Sequence, residues 1–136
     1  DDSHVYVCDN YGKLKHKFER DSCQLRSLTI SEENLILISS HDLTAVNIYT
    51  EDGTPMSTIK VPECHEVRGM AFHYLICKII VLAEQQDSFS LLCYSRTGEL
   101  ESSILCKRVG DEYFPQIKSN PSGPFAIVRE KSISFI

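Results

Sequence analysis

The stretch Leu25-Arg-Ser-Leu-Thr-Ile30, Leu35-Ile-Leu-Ile-Ser39, Ala45-Val-Asn-Ile-Tyr49, Glu51-Asp-Gly53 and Met56-Ser-Thr-Ile-Lys-Val61 reads as four short strands in succession. Each run is rich in β-branched and aromatic residues and is bounded by polar or glycine-containing segments, as strands of an antiparallel meander are. The Glu51-Asp-Gly53 turn carries the Asp-Gly signature of a tight hairpin, in which glycine supplies the positive φ that strand twist demands.

The same plan recurs on both sides. Gly12, Gly53 and Gly98 lie 41 and 45 residues apart, and strands end four residues before them at Cys8, Tyr49 and Tyr94. Outer strands follow at Lys13 to Phe18, Met56 to Val61 and Leu100 to Leu105. Upstream, Ser27-Leu-Thr-Ile30 matches Gly69-Met-Ala-Phe72, and Leu35-Ile-Leu-Ile38 matches Ile79-Ile-Val-Leu82 and Phe125-Ala-Ile-Val128. Four strands repeating at this period are the mark of a β-propeller, whose blades are four-stranded antiparallel meanders.

With strands named A to D from the hub outwards, the chain reads C-D, A-B-C-D, A-B-C-D, A-B-C. The A strands are expected near 25–30, 67–72 and 114–118, and the B strands near 35–39, 78–83 and 125–128. Residues 1–136 are thus read as one propeller segment of the all-β class, half of a six-bladed ring. Its repeats fall at about 25–61, 67–105 and 114–136, the last completed by 5–18. Thirteen strands cannot close a ring within one chain, so a homodimer of two three-blade halves is the expected assembly, with strand Lys13 to Phe18 completing the last blade of the other copy.

Composition narrows the function. The 136 residues carry 14 Lys+Arg against 19 Asp+Glu, a net charge of -5 that disfavours a domain built to neutralise phosphates. Apolar runs such as Ile76-Cys-Lys-Ile-Ile-Val-Leu-Ala83 fall well short of the ~20 residues of a membrane span, and no signal-peptide pattern opens the chain. Cys8, Cys23, Cys64, Cys77, Cys93 and Cys106 form no Cys-x-x-Cys pair. Cys8, Cys77 and Cys93 fall inside apolar runs, where free cysteine behaves as a small buried hydrophobe. A reduced, cytoplasmic chain is the resulting expectation.

Gly69-Met-Ala-Phe72, Ile79-Ile-Val-Leu82, Leu91-Leu-Cys-Tyr94 and the Gly98 turn resemble the NHL repeat, with its Gly-Ile-Ala-Val strand, Ile-Tyr-Val strand and Val-Phe-Asp-x-x-Gly turn. Ser27-Leu-Thr-Ile30, Asn34-Leu-Ile-Leu-Ile38 and Asn47-Ile-Tyr49 to Gly53 follow that plan, with Ser27 in place of the family's glycine. WD repeats share the period, but this chain has no Trp. The resemblance implies a six-bladed propeller that binds protein or RNA in tripartite-motif ubiquitin ligases, or, in secreted relatives, a lyase that cleaves amidated-peptide precursors.

Chemistry-bearing clusters are few. Lys13, Lys15 and Lys17 alternate with Leu14, His16 and Phe18, which suits an outer strand whose lysines face water and block edge pairing. Cys64, His65, His73 and Cys77 have zinc-ligand chemistry, but strand A separates the first two from the last two, so neither metal nor cofactor is expected. His41-Asp42 lies outside any nucleophile-elbow or His-Glu-x-x-His context, and no catalytic residue is nominated. The loops joining D to A and B to C share one face and hold ten acidic residues against five basic ones. From them come the candidate binding residues Arg20, His41, Asp42, His65, Glu84, Asp87, Arg108, Asp111 and Arg129. The expected function is a non-enzymatic interaction scaffold with a protein partner, RNA being disfavoured by the acidic charge.

Overall fold

The computed structural model describes residues 4–19, 27–39, 44–86, 88–107, 116–118, 126–129 and 132–135. They form thirteen strands in four antiparallel sheets. A two-stranded sheet pairs β1 (His4–Cys8) with β2 (Leu14–Glu19). The first four-stranded blade comprises β3 (Ser27–Ile30), β4 (Ile36–Ser39), β5 (Ala45–Tyr49) and β6 (Pro55–Lys60). The second comprises β7 (Glu66–His73), β8 (Lys78–Gln85), β9 (Ser88–Ser95) and β10 (Leu100–Lys107). A three-stranded sheet of β11 (Gln116–Lys118), β12 (Ala126–Arg129) and β13 (Ser132–Phe135) follows. Every ladder joins sequence neighbours, and the innermost strands β3, β7 and β11 lie side by side. The predicted strand order holds throughout.

Stacking of the sheets explains why their second strands read as continuous apolar runs. In β8, Ile79, Val81 and Ala83 face the first blade, within a core that includes Leu37, Val46, Ile48, Ile59, Phe72 and Tyr94. Ile80 and Leu82 point the other way, with Leu91 and Phe89, toward Ile117 of β11. A strand covered on both faces has no use for polar alternation. On the opposite flank, Val5 packs with Ile36 and Ile38, and Phe18 stacks on Tyr49 at 5.6 Å between ring centroids.

The turns joining third to fourth strands are three copies of one structure. Gly12 N donates to Asp9 O, Gly53 N to Thr50 O and Gly98 N to Ser95 O, each at 3.0 Å. Side-chain oxygens of Asp9, Thr50 and Ser95 accept the backbone N–H four residues on, at 2.9 to 3.1 Å. Only the glycines take positive φ, between 79° and 92°, and the ladder shifts register beside each turn. This is a turn closed by a glycine bulge, and at Gly53 it supplies the positive φ expected there between the hairpin strands β5 and β6. Ser31 builds the same turn between β3 and β4, with Asn34 at φ 59° in the glycine's place.

Gly69 has a different task. A Cβ on it would stand 3.1 Å from Ile117 Cγ2, so its bare backbone lets β11 approach β7 at the hub. Ser27 holds the matching place in β3.

Candidate functional site

The face carrying the D-to-A and B-to-C loops is described best around the second blade. There Glu66, the first residue of β7, stands directly opposite Glu84 near the end of β8. Like charges facing each other across a ladder repel. Arg68 resolves the conflict from a bulge between Val67 and Gly69, where the extra residue turns its side chain back between the carboxylates. Its Nε donates to Glu84 Oε2 at 2.6 Å and its Nη2 to Glu66 Oε2 at 2.8 Å. The Glu84 side chain is only 13% exposed and Arg68 21%, against 53% for Glu66. The triad keeps a net negative charge, with its outer carboxylate open to solvent.

Beside it, the segment from Val61 to His65 brings Glu63 and Cys64 to the surface. Cys64 takes a positive φ of 64°, and the His65 ring nitrogen Nδ1 lies 3.1 Å from Glu63 O. Lys60, at the end of the outer strand β6, is the neighbouring cation.

Of the sequence-nominated residues, the structure brings His65 and Glu84 to this region. Glu84 is not a loop residue, however, because β8 runs on to Gln85, and its carboxylate is committed to Arg68. Arg129 likewise closes strand β12 opposite Ser132 instead of lying in a loop. Arg20, His41, Asp42, Asp87, Arg108 and Asp111 lie outside the described residues. Arg68 was missed, although an arginine in the otherwise apolar run Val67-Arg-Gly-Met-Ala-Phe72 was a readable anomaly.

The would-be zinc residues are kept apart. Cys64 and His65 precede β7 and His73 ends it, so seven residues of extended strand lie between His65 and His73 and hold them on the order of 25 Å apart. Among the described residues no group of three or more His, Cys, Asp or Glu could hold a metal ion.

On the opposite face Cys77 sits in the β7–β8 turn at φ 52°, not within a strand. Its thiol donates to Glu32 Oε2 at 2.9 Å, and Arg96 Nη1 donates to Glu32 Oε1 at 3.0 Å. The thiol first and the guanidinium second hold the Glu32 carboxyl below its ordinary range, while the same bond and burial raise the Cys77 thiol. Tyr74 OH donates to Ile30 O at 2.8 Å beside them. This group latches the first blade to the second. Cys8 is exposed, which corrects the burial expected of it, whereas Cys77 and Cys93 are half-buried and pack against the hydrophobic core.

On the outer strand the predicted alternation holds from Lys15 to Phe18, with Lys15 and Lys17 exposed and His16 and Phe18 half-buried, but Leu14, expected on the inner face, is exposed at the start of the strand. The Lys15 ammonium pairs with Glu51 of the next blade's turn, and Lys17 Nζ lies 5.3 Å from the centre of the Tyr6 ring. Both lysines therefore have intramolecular partners.

No known sequence family and no curated protein matches the chain. Solved structures do. The chain is similar to streptogramin B lyase (14% identity, TM-score 0.65, covering 99% of this chain and 48% of that one). It is similar also to virginiamycin B lyase from Staphylococcus aureus (12% identity, TM-score 0.63, 98% and 48%). BamB from Moraxella catarrhalis matches with 8% identity and a TM-score of 0.62, covering 92% of this chain and 37% of that one. These are β-propeller proteins, and the all-β chain of stacked antiparallel sheets shares their fold. It spans half or less of the length of the structures it matches.

Proposed function

We propose that this chain is a non-enzymatic propeller module of NHL type that recognises a basic segment of a protein partner at the face bearing Glu63, Glu66 and Glu84. The observation that carries the reading is the Glu66–Arg68–Glu84 triad: one guanidinium serves two carboxylates, the more exposed of which lies three residues along the chain from the exposed Glu63. An arginine or lysine of a partner would find a partly compensated anionic seat there, fixed by the backbone bulge at Arg68 instead of by a mobile loop. Such recognition gives specificity and on-rate through charge complementarity. Phosphate backbones are the wrong sign for this face, which sets RNA second.

The test is fluorescence anisotropy with a labelled arginine-rich peptide, an acidic peptide of equal length and mixed single-stranded RNA. Saturable binding of the basic peptide alone is the expected result. It should weaken as salt rises above ~0.15 M and fall several-fold in the double variant Glu63→Lys/Glu66→Lys. RNA bound more tightly than about 1 µM at that salt would overturn the reading.

A further inference from the structure

The seventh residue after each turn glycine is exposed in all three outer strands, with a different chemistry each time: Glu19 on β2, Lys60 on β6 and Leu105 on β10. Cross-strand pairing fixes where the last two point. Lys60 lies opposite Ala45, which shares a face of β5 with Asn47 and with Tyr49, whose ring meets Phe18 of β2. Leu105 lies opposite Ser90, on the face of β9 that carries Leu92 and Tyr94 into the core shared with the first blade. Both side chains therefore look back toward the preceding sheet. Leu105 is 63% exposed although the blade it faces has all four strands, so the opening at this level of an outer strand belongs to the way the blades stack.

In the first blade that opening is a groove of about 490 Å³, lined by Ala45, Asn47, Thr58, Lys60, Pro62 and Glu63. Two of these residues are polar where the second blade is apolar: Asn47 stands in the place of Leu92, and Lys60 in the place of Leu105. Leu92 is 2% exposed and part of the core, whereas Asn47 is half-buried against the groove. Thr58, opposite Asn47 in the ladder, donates its hydroxyl to Asn47 Oδ1 at 2.9 Å, which leaves the amide nitrogen as the free polar atom of that side chain. Lys60 Nζ has no ion pair among the described residues. The groove thus holds two donors, one of them cationic, and a carboxylate is the group that satisfies both. Glu63 at its rim repels a free anion, so the carboxylate has to arrive joined to a cation.

We infer that this groove takes an acidic side chain of the partner segment whose basic residue sits at Glu66, so that the feature recognised is a basic and an acidic residue close together in one peptide. This rests on the proposed role of the acidic face in binding a basic segment, and it names the second half of what that segment carries. The two seats stand on either side of one short connection, which is closed by a turn in which His65 N donates to Pro62 O at 3.2 Å. A segment that is basic throughout sets a like charge against Lys60, so it binds less tightly than one of mixed charge, and the groove selects between them.

Fluorescence anisotropy at ~0.15 M salt tests it with labelled peptides that carry one arginine and one glutamate at varied spacing, each beside a twin with glutamine in the glutamate's place. At one spacing the glutamate peptide should bind roughly three- to fivefold more tightly than its twin. Lys60→Glu should erase that preference and transfer it to a peptide with lysine in the glutamate's place, which completes a double-mutant cycle across the interface. Lys60 is exposed, so the variant should keep the parent circular dichroism spectrum. Binding of both twins that depends on Glu63 and Glu66 but shows no glutamate preference, or a preference that survives Lys60→Glu, overturns the inference and leaves the role of the acidic face standing. Absence of binding by either twin overturns that role and the inference with it.

Discussion

Glu66 and Glu84 are direct cross-strand partners, and the side chain that reconciles them comes from the same strand as Glu66, displaced by one bulged residue. Removing that guanidinium leaves a largely buried carboxylate facing a second one. Arg68→Leu should therefore cost ~1–3 kcal/mol in urea unfolding, and adding Glu84→Gln should recover part of the loss. If Arg68→Leu alone were neutral, the triad would hold nothing together.

Gly53→Ala should be costlier than an ordinary turn substitution. Left-handed φ at 90° strains alanine by ~1 kcal/mol, and collision with Phe18 adds about 1–3 kcal/mol of overpacking. Pairing it with Phe18→Ala should relieve the second part and leave the first. Chemical denaturation of the four proteins in the cycle measures the split.

Acid stability should depend on Glu32, Glu51 and Asp52. Hydrogen bonds from Cys77, from Lys15 and from Thr50 respectively are the first cause holding each carboxyl below its ordinary value. A depressed folded pKa gives stability that is complete above the unfolded carboxylate range and is lost as pH falls through the lower folded values. The melting temperature should fall below about pH 4.5, and Glu32→Gln should make that limb shallower. An identical acid limb in the variant would exclude Glu32 as a contributor.

Thiol reactivity should separate Cys64 from Cys77. Cys64 is exposed, whereas the Cys77 thiol is held protonated by its bond to the Glu32 carboxylate. Iodoacetamide at pH 8, followed by peptide mass spectrometry, should modify Cys64 first, because the thiolate is the reacting form. Glu32→Gln should speed modification of Cys77.

The architecture was legible because its signals are local and repeated. Gly12, Gly53 and Gly98 mark positions that only a left-handed residue fills, and Ile79 to Ala83 is apolar throughout because both faces of β8 are covered. The site was less legible, since it depends on register. Arg68 reaches Glu84 only because a bulge shifts β7 by one residue, and no residue type announces that bulge beyond the arginine itself. Cys77 sits beside Ile76 and Lys78 at the edge of an apolar run, and only its positive φ makes it a turn residue. The Asp52-Gly53 pair marked the turn between β5 and β6, whereas the side-chain oxygen that Thr50 supplies to it lay outside that signature.

Because every ladder among the described residues joins strands that follow one another in sequence, neither four-stranded blade waits on a distant segment for its hydrogen bonds. The entropy of closing each turn is small, and long-range contacts enter only when finished sheets stack. Blades can consequently assemble one after another as the polypeptide lengthens, with β7 to β10, walled on both sides, the last unit to open when the process runs in reverse.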